Sequence, residues 1–234
     1  MLSFTREPRL SGQMSAQEQD GHQKRKEIRA VILDHGRVLC RAPQKEHVDR
    51  MAAAFGVDHA TFWRVYEQNR GPLDKGEIAP PAYWKAVGRD AGRKVDAFTI
   101  ERLEDLDIDM WDSLEEPLLQ WLQILQANGY KTALLSNSHA RFVAHARKNR
   151  PWLRLFNLAV FSSEVGLIKP DPAIFRYALE KLGIDAASAL LIDDEFSNVT
   201  VARSVGIESI RFTTLAQLNK QLTEIGFPLL VRTP

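Results

Sequence analysis

The chain has 234 residues, of which 44% are hydrophobic and 26% are charged, an ordinary composition for a globular protein with one large domain or a core and an insert. Its 31 Lys and Arg balance 30 Asp and Glu to a formal net charge of +1, so charge gives no case for a nucleic-acid or anionic-membrane partner. No apolar run approaches the roughly 20 residues that span a bilayer, and the single cysteine, Cys40, excludes an intrachain disulfide and favours a reducing, cytoplasmic compartment.

Residues 1–26 are polar, end in a basic triplet and lack the apolar stretch of a secretory signal, and we interpret them as a flexible tail. An almost continuously apolar, β-branched run, Ile28–Leu33, follows and predicts a strand buried on both faces of a parallel sheet. The run stops at Asp34, and His35-Gly36 is a turn signal. A carboxylate at the carboxyl end of such a strand lies where open α/β sheets bind their ligands.

Residues 41–115 are mostly helical in pattern and rich in large aromatic side chains. Apolar residues recur at helical spacing in four segments, His47–Phe55, Ala60–Asn69, Pro81–Ala91 and Thr99–Trp111. Pairs such as Gly71-Pro72 separate them. A helical insert between the first strand and the rest of the sheet predicts a cap domain above the carboxyl edge of that sheet.

From Pro117 onwards, helices and strands alternate. Strands are predicted at Lys131–Leu135, Leu158–Ser162, Ala189–Ile192 and Ser209–Phe212. Helices are predicted at Leu118–Asn128, Ala140–Lys148, Asp171–Leu182, Asn198–Val205 and Leu215–Ile225. Alternating units of this kind predict an α/β fold with a doubly wound, Rossmann-like parallel sheet. We expect the core to comprise residues 27–40 and 116–234, with residues 41–115 as the cap.

Polar residues follow several of these strands. Asp34 ends the first strand, Ser136-Asn137 follow the second and Asp193-Asp194 follow the fourth, while Lys169 lies in the loop after the third. Each alone has an ordinary interpretation as a helix cap or a surface turn. Because the carboxyl ends of parallel strands face one crevice, their joint occurrence predicts that they converge there.

Carboxylates held about 4 Å apart repel by several kcal/mol at an effective dielectric near 20. A hard divalent cation such as Mg²⁺ relieves that repulsion, and it prefers carboxylates, a backbone carbonyl, waters and a phosphate oxygen. With Ser136 and Lys169 as donors to an anion, such a site suits a carboxylate that attacks a phosphoryl group to form an aspartyl-phosphate.

Four segments in this order resemble the motifs of the haloacid dehalogenase-like (HAD) hydrolase superfamily: AVILDHG, ALLSNS, GLIKPDP and LLIDDEFSNVTVARSVG. The position of the insert resembles members with a C1-type helical cap. The segment DKGEIAPPAYWKAVGRDAG resembles the phosphatase-like branch that includes epoxide hydrolase N-terminal domains.

The resemblance implies a Mg²⁺ site in which Asp34 is both nucleophile and metal ligand. The carbonyl of Gly36 and the carboxylates of Asp193 and Asp194 would complete the metal shell. Asn198 would steady the acidic loop.

The resemblance also implies that Ser136, Asn137 and Lys169 hold the phosphate, with Lys169 neutralising the nucleophile and the transferring group. Weaker candidates for substrate specificity are His35, Arg37, Arg70 and Trp84.

One position departs from the pattern of the family. Its phosphatases usually carry a second Asp two residues after the nucleophile as general acid and base, and this chain has Gly36 there. Because general acid–base catalysis contributes about 10²–10⁴-fold, we expect slow turnover or an activated leaving group such as that of a glycosyl 1-phosphate or acyl phosphate.

We therefore expect a Mg²⁺-dependent phosphatase of a small phosphorylated metabolite. Two alternatives remain open: a metal-independent 2-haloacid dehalogenase, and a catalytically impaired module that binds phosphate and metal. Oligomeric state is not readable from the sequence.

Overall fold

The computed structural model describes residues 27–230, so the predicted tail of residues 1–26 lies outside the described part of the chain. Five parallel strands form one sheet in the order β3-β2-β1-β4-β5. They are β1 (Ala30–Leu33), β2 (Lys131–Ser136), β3 (Leu158–Phe161), β4 (Ala189–Asp193) and β5 (Glu208–Arg211). The predicted doubly wound parallel sheet is confirmed.

Helices and the loops between them make up the remainder of the described chain. The insert carries α1 (Lys45–Phe55), α2 (His59–Gln68), α3 (Arg70–Asp74), α4 (Pro80–Asp90) and α5 (Ala97–Met110). The core carries α6 (Glu116–Ala127), α7 (Ala140–Asn149), α8 (Ser162–Val165), α9 (Pro172–Leu182), α10 (Phe196–Ser204) and α11 (Leu215–Glu224). Within residues 27–230, none of these helices has the length and apolar character needed to cross a membrane.

Both faces of the sheet are covered because alternate side chains of each strand point to opposite sides. Val31 and Leu33 belong to one apolar cluster with side chains from α6, α7 and α11. Ala30 and Ile32 belong to the other, with side chains from α9 and α10. This two-sided burial explains why β1 is a continuous apolar run rather than an alternating one.

The insert has an apolar cluster of its own, built from α1, α2, α4 and α5 and including Phe62, Tyr83 and Trp84. Its two connections to the core pair with each other: the Arg41 N–H donates to the Ser113 carbonyl at 2.7 Å. We propose on this basis the division of the chain into a core and a cap of residues 41–115.

Two short helices were not predicted. The pair Gly71-Pro72 was interpreted as a break, yet both residues lie in α3. Proline is tolerated in the first turn of a helix because its missing N–H would have no partner there. The other helix, α8, is a single turn that ends at Gly166 in the left-handed conformation (φ 67°).

Candidate active site

Three carboxylates meet at the carboxyl ends of the two central strands. Asp34 follows β1, where its N–H donates to the Ile192 carbonyl at 3.0 Å, and Asp193 and Asp194 lie at the end of β4. One oxygen from each of the three acids lies within 4.8 Å of the others. The sequence pattern predicted this convergence.

Lys169 links two of the acids. Its Nζ lies 2.8 Å from Asp34 Oδ1 and 2.7 Å from Asp193 Oδ2, and the side chain is almost fully buried. Although burial lowers it, the two carboxylates raise the pKa of Lys169 above its usual range. The ammonium therefore stays charged next to the acids.

The protein itself satisfies the carboxylate of Asp193. The Asn198 side-chain amide donates to both of its oxygens at 2.9 and 3.1 Å, and the Glu195 N–H donates to Oδ1 at 2.9 Å. These hydrogen bonds hold Asn198 against the acidic loop.

An oxygen-only donor set remains for a metal. Asp34 Oδ1 accepts from Lys169 and from the His35 N–H at 2.6 Å, and Oδ2 takes part in neither contact. The Asp194 carboxylate faces only Arg37, at 3.8 Å, among the ion pairs of the described residues. Carboxylates without soft ligands fit a hard cation such as Mg²⁺. The residues present therefore suit the metal that the sequence predicted.

Without a cation, burial and mutual repulsion disfavour the charged forms of these acids. Burial raises the pKa of Asp34 to about 7; Lys169 opposes the rise and Asp193 adds to it. Burial, followed by the charge of Asp193, also raises the pKa of Asp194. A divalent cation would favour the charged form of both groups.

The loop after β2 places two predicted anion-binding residues at the same edge. Ser136 is buried in the cavity wall, and its Oγ lies 2.8 Å from Ser138 Oγ. The Asn137 side chain instead donates to the Lys169 carbonyl and accepts from the Lys169 N–H, both at 2.9 Å. This amide positions the lysine loop.

Position 36 and its neighbour offer no acid. A Cβ on Gly36 would lie 3.4 Å from Trp111 Cζ3, so the indole covers the side of the backbone where a side chain would project. The His35 ring packs against Phe142 and stacks on Trp152, and burial lowers the pKa of His35 to about 3. The ring is neutral and packed, yet His35 is among the residues that line the cavity, so a substrate contact through it stays a prediction.

The cap closes the opposite side of the cavity. Arg37, in the left-handed conformation (φ 57°), lies 3.5 Å from Glu67, and Arg70 bonds Asp74 at 2.9 Å and Asp107 at 3.0 Å. Both arginines line the cavity, and their role in substrate specificity stays a prediction.

The structure places Trp84, a weak candidate for substrate specificity, away from the cavity. Its side chain is 1% exposed and packs among Phe55, Tyr66 and Tyr83 in the cap core, away from the cavity lining. Its helical spacing serves the apolar cluster of the cap rather than a contact with substrate.

The resulting cavity holds about 190 Å³ between core and cap. Its wall includes seven residues that sequence reasoning missed as site residues: Tyr66, Glu67, Asp74, Trp111, Ser138, Phe142 and Glu195. Only Asp74 had a usable signal, because it follows Arg70 by four residues and that spacing pairs side chains on a helix.

Residues 18–206 match the model of a family described as haloacid dehalogenase-like hydrolases. Drimenol cyclase from Aspergillus calidoustus is 32% identical over 201 residues, which cover 85% of this chain and 36% of that protein. Acyl-CoA dehydrogenase family member 10 from Mus musculus is 28% identical over 225 residues, 91% of this chain and 20% of that protein. The chain thus spans well under half of either relative. D-ribitol-5-phosphate phosphatase from Bacteroides thetaiotaomicron is 21% identical over 206 residues, 85% of this chain and 98% of that enzyme.

Solved structures share the fold. A HAD family enzyme from Bacteroides thetaiotaomicron superposes with a TM-score of 0.67 at 23% identity, covering 80% of this chain and 95% of that one. The wild-type form of that enzyme in complex with magnesium and inorganic phosphate gives a TM-score of 0.63 at 24% identity, with 80% and 94% coverage. An L-2-haloacid dehalogenase gives 0.63 at 20% identity, with 79% and 86% coverage.

Proposed function

Because the chain belongs to the haloacid dehalogenase-like hydrolase family, we propose that it is a Mg²⁺-dependent phosphatase of a small phosphorylated metabolite. The observation that carries the proposal is the grouping of three carboxylates around Lys169, whose Nζ lies 2.8 Å from the Asp34 carboxylate. A phosphatase among the relatives and a magnesium–phosphate complex among the structural neighbours support it.

Asp34 is the nucleophile in this proposal. Its free oxygen attacks phosphorus, the bond from phosphorus to the leaving oxygen breaks, and an aspartyl-phosphate forms. Lys169 and the buried hydroxyl of Ser136 donate to the phosphoryl oxygens, and the Asn137 amide keeps Lys169 in place.

Asp34, Asp194 and the Gly36 carbonyl would hold Mg²⁺, with Asp193 behind them as the anchor of Lys169 and Asn198. The ion supplies positive charge to phosphoryl oxygens and carboxylates that would otherwise repel one another.

The second candidate is metal-independent dehalogenation of a 2-haloacid. Its specific support is Gly36, since a departing halide needs no protonation, and a structural neighbour is an L-2-haloacid dehalogenase. Three carboxylates with two unsatisfied members favour the phosphatase, because a metal-free reaction gains nothing from the repulsion among them.

The deciding experiment is phosphate release from a panel of p-nitrophenyl phosphate, pentitol and hexose phosphates and phosphoglycolate. We expect release that requires Mg²⁺, stops with EDTA and falls to background in Asp34→Asn. Release that survives both EDTA and Asp34→Asn would contradict the proposal. Chloride release from 2-chloropropionate without metal would establish the dehalogenase, and phosphate binding without turnover would indicate a binding module.

A further inference from the structure

The cavity has lost its usual source of a proton but keeps a buried hydrolytic centre. Gly36 contributes no side chain, and the indole of Trp111 lies within 3.4 Å of the position of the absent Cβ. A group that protonates the leaving oxygen must therefore come from another part of the cavity wall.

Six titratable side chains line the cavity besides Asp34, Asp194, Lys169 and Arg37: His35, Tyr66, Glu67, Arg70, Asp74 and Glu195. An arginine does not release its proton near neutral pH. The pKa of His35 is about 3, and burial raises the pKa of Tyr66 well above its ordinary value. The Tyr66 hydroxyl is also occupied, since it contacts Asp107 at 2.5 Å, Arg70 at 2.7 Å and Trp111 at 3.1 Å. Three carboxyl groups remain.

Two of the three carboxyl groups face solvent. The Glu67 side chain is 46% exposed and pairs with Arg37 at the rim, and Glu195 is exposed at the start of α10. Asp74 alone is buried, at 7% exposure. A desolvated carboxyl group keeps its proton to higher pH and transfers it without competition from bulk water.

Asp74 is held both by the cap and by the phosphate-binding side of the core. Arg70 Nε donates to its Oδ1 at 2.9 Å. Its backbone carbonyl accepts from Ser162 Oγ, which in turn accepts from the Ser138 N–H at 2.8 Å. Ser138 Oγ lies 2.8 Å from Ser136 Oγ. Two hydrogen bonds thus connect the backbone of Asp74 to Ser138, two residues after the predicted phosphate ligand Ser136 at the end of β2.

We propose that Asp74, carried by the cap, is the general acid and base of this active site and takes the place of the absent side chain at position 36. The proposal rests on the proposed phosphatase function. It makes Asp74 a catalytic residue that no motif of the core supplies.

Over the two half-reactions, Asp74 donates one proton and recovers one from water. In the first, Asp34 bonds to phosphorus, the bond from phosphorus to the leaving oxygen breaks, and the Asp74 carboxyl proton passes to that oxygen. In the second, a water oxygen bonds to phosphorus, the bond from phosphorus to Asp34 breaks, and Asp74 accepts the water proton. The products are alcohol and phosphate, and both aspartates return to their starting states.

The surroundings of Asp74 favour this double use. Burial raises the pKa of Asp74 to about 6; Arg70 and His139 oppose the rise and Asp107 adds to it. The groups that face it come from α2, α3, α4, α5 and the start of α7: Tyr66, Arg70, Tyr83, Asp107 and His139. A pKa close to the working pH lets one group donate in one step and accept in the next.

The test compares Asp74→Asn with the wild type on p-nitrophenyl phosphate and on the alkyl phosphate of the panel that the wild type hydrolyses fastest. A poor leaving group needs the acid, so we expect kcat on the alkyl phosphate to fall by 10²–10⁴-fold. p-Nitrophenolate leaves unprotonated, so the variant should release about one equivalent in a burst and then stall as the aspartyl-phosphate. A purely structural role would lower the rates on both substrates together and give no burst.

Glu77→Gln is the matched control, because Glu77 lies three residues further along, pairs with Lys75 and is not part of the cavity wall. It should keep both rates within about twofold. Asp74→Glu retains the carboxyl group and should recover part of the alkyl phosphate activity.

Three outcomes would overturn the inference. Equal losses on both substrates without a burst would do so, as would Asp74→Asn rates equal to wild type while Asp34→Asn is inactive; the second result would leave the phosphatase intact. If Asp74→Asn does not fold, the wild-type rates on p-nitrophenyl phosphate and on alkyl phosphates are compared instead. A steep fall in rate from the first to the second would show that no general acid protonates the leaving oxygen. Full activity of Asp34→Asn would overturn the phosphatase proposal itself.

Discussion

At the scale of single residues, the contact between Gly36 and Trp111 determines what position 36 can carry. The side chain of an Asp there would have to displace the indole, which lies 3.4 Å from the ideal Cβ and donates to the Tyr66 hydroxyl at 3.1 Å. We expect Gly36→Asp to lower the free energy of unfolding by about 1–3 kcal/mol through overpacking, without raising kcat.

Gly36→Ala is the control for that substitution, because a lone Cβ at 3.4 Å makes an ordinary van der Waals contact. Urea unfolding followed by tryptophan fluorescence measures both variants. A Gly36→Asp protein that is as stable as Gly36→Ala and turns over faster than wild type would show that Trp111 gives way readily.

Which site residues could be predicted from the sequence depends on how each is positioned. Asp34, Asp193 and Lys169 were predicted because strand ends and their loops meet at one edge of a parallel sheet whatever the details of packing. Asp74 and Trp111 were not, because their place in the cavity depends on how the cap docks. No local pattern encodes a contact between residues 36 and 111.

At the scale of elements, a buried polar network joins the cap helices to the core. Asp107 on α5 accepts from the Tyr66 hydroxyl of α2, from Arg70 of α3 at 3.0 Å, and contacts His139 Nε2, just before α7, at 3.0 Å. Burial would raise its pKa, but Arg70 and His139 hold the pKa of Asp107 well below its usual range. The network therefore stabilises the closed arrangement of cap and core while Asp107 is charged.

Asp107→Asn should remove most of that stabilisation. Since the folded-state pKa of Asp107 is depressed, its contribution is fully present above the unfolded value near 3.9 and is lost as the pH falls through the folded value. At pH 7 we expect a loss on the order of 3–5 kcal/mol, because Arg70 keeps a buried charge with one partner fewer. Chemical unfolding at pH 7 measures it.

Asp105→Asn on the same helix provides the comparison, because Asp105 is 66% exposed and pairs with Arg141 at the surface. It should stay within about 0.5 kcal/mol of wild type. Equal losses in the two variants would mean that the buried network contributes no more than a surface pair.

Helix prediction in the cap followed the apolar period and so placed four of its helices to within a few residues. It missed α3, which has five residues and hence too few for a period to be recognised. That helix carries both Arg70 and Asp74. One part of the cap that faces the site therefore escaped periodicity, whereas Tyr66 and Glu67 reach the cavity from the predicted helix α2.

At the scale of the whole molecule, the candidate active site lowers the stability of the fold, and the proposed Mg²⁺ would offset that loss. The pKa of Asp34 is raised from 3.8 to about 7, so between about pH 4 and 7 the native state binds more protons at this position than the unfolded chain does. Stability attributable to Asp34 therefore falls as the pH rises through this window. Enzymes commonly lose some folding stability to the groups that their activity requires.

Asp34→Asn should consequently stabilise the metal-free protein at pH 8 by on the order of 1 kcal/mol, or about 2–4 °C in melting temperature. The gain comes from removing a buried charge and is reduced by the loss of the contact with Lys169. At pH 5 the difference should shrink, because the wild-type carboxyl group is then protonated.

Adding Mg²⁺ should raise the melting temperature of the wild type by mass action and that of the variant much less. Calorimetry in EDTA and in Mg²⁺ at both pH values measures the effect, with Glu208→Gln, an exposed acid on β5, as the neutral control. A variant that melts below the wild type at pH 8 in EDTA would show that the buried charge of Asp34 does not lower stability. A variant that gains as much from Mg²⁺ as the wild type would show that Asp34 does not bind the metal.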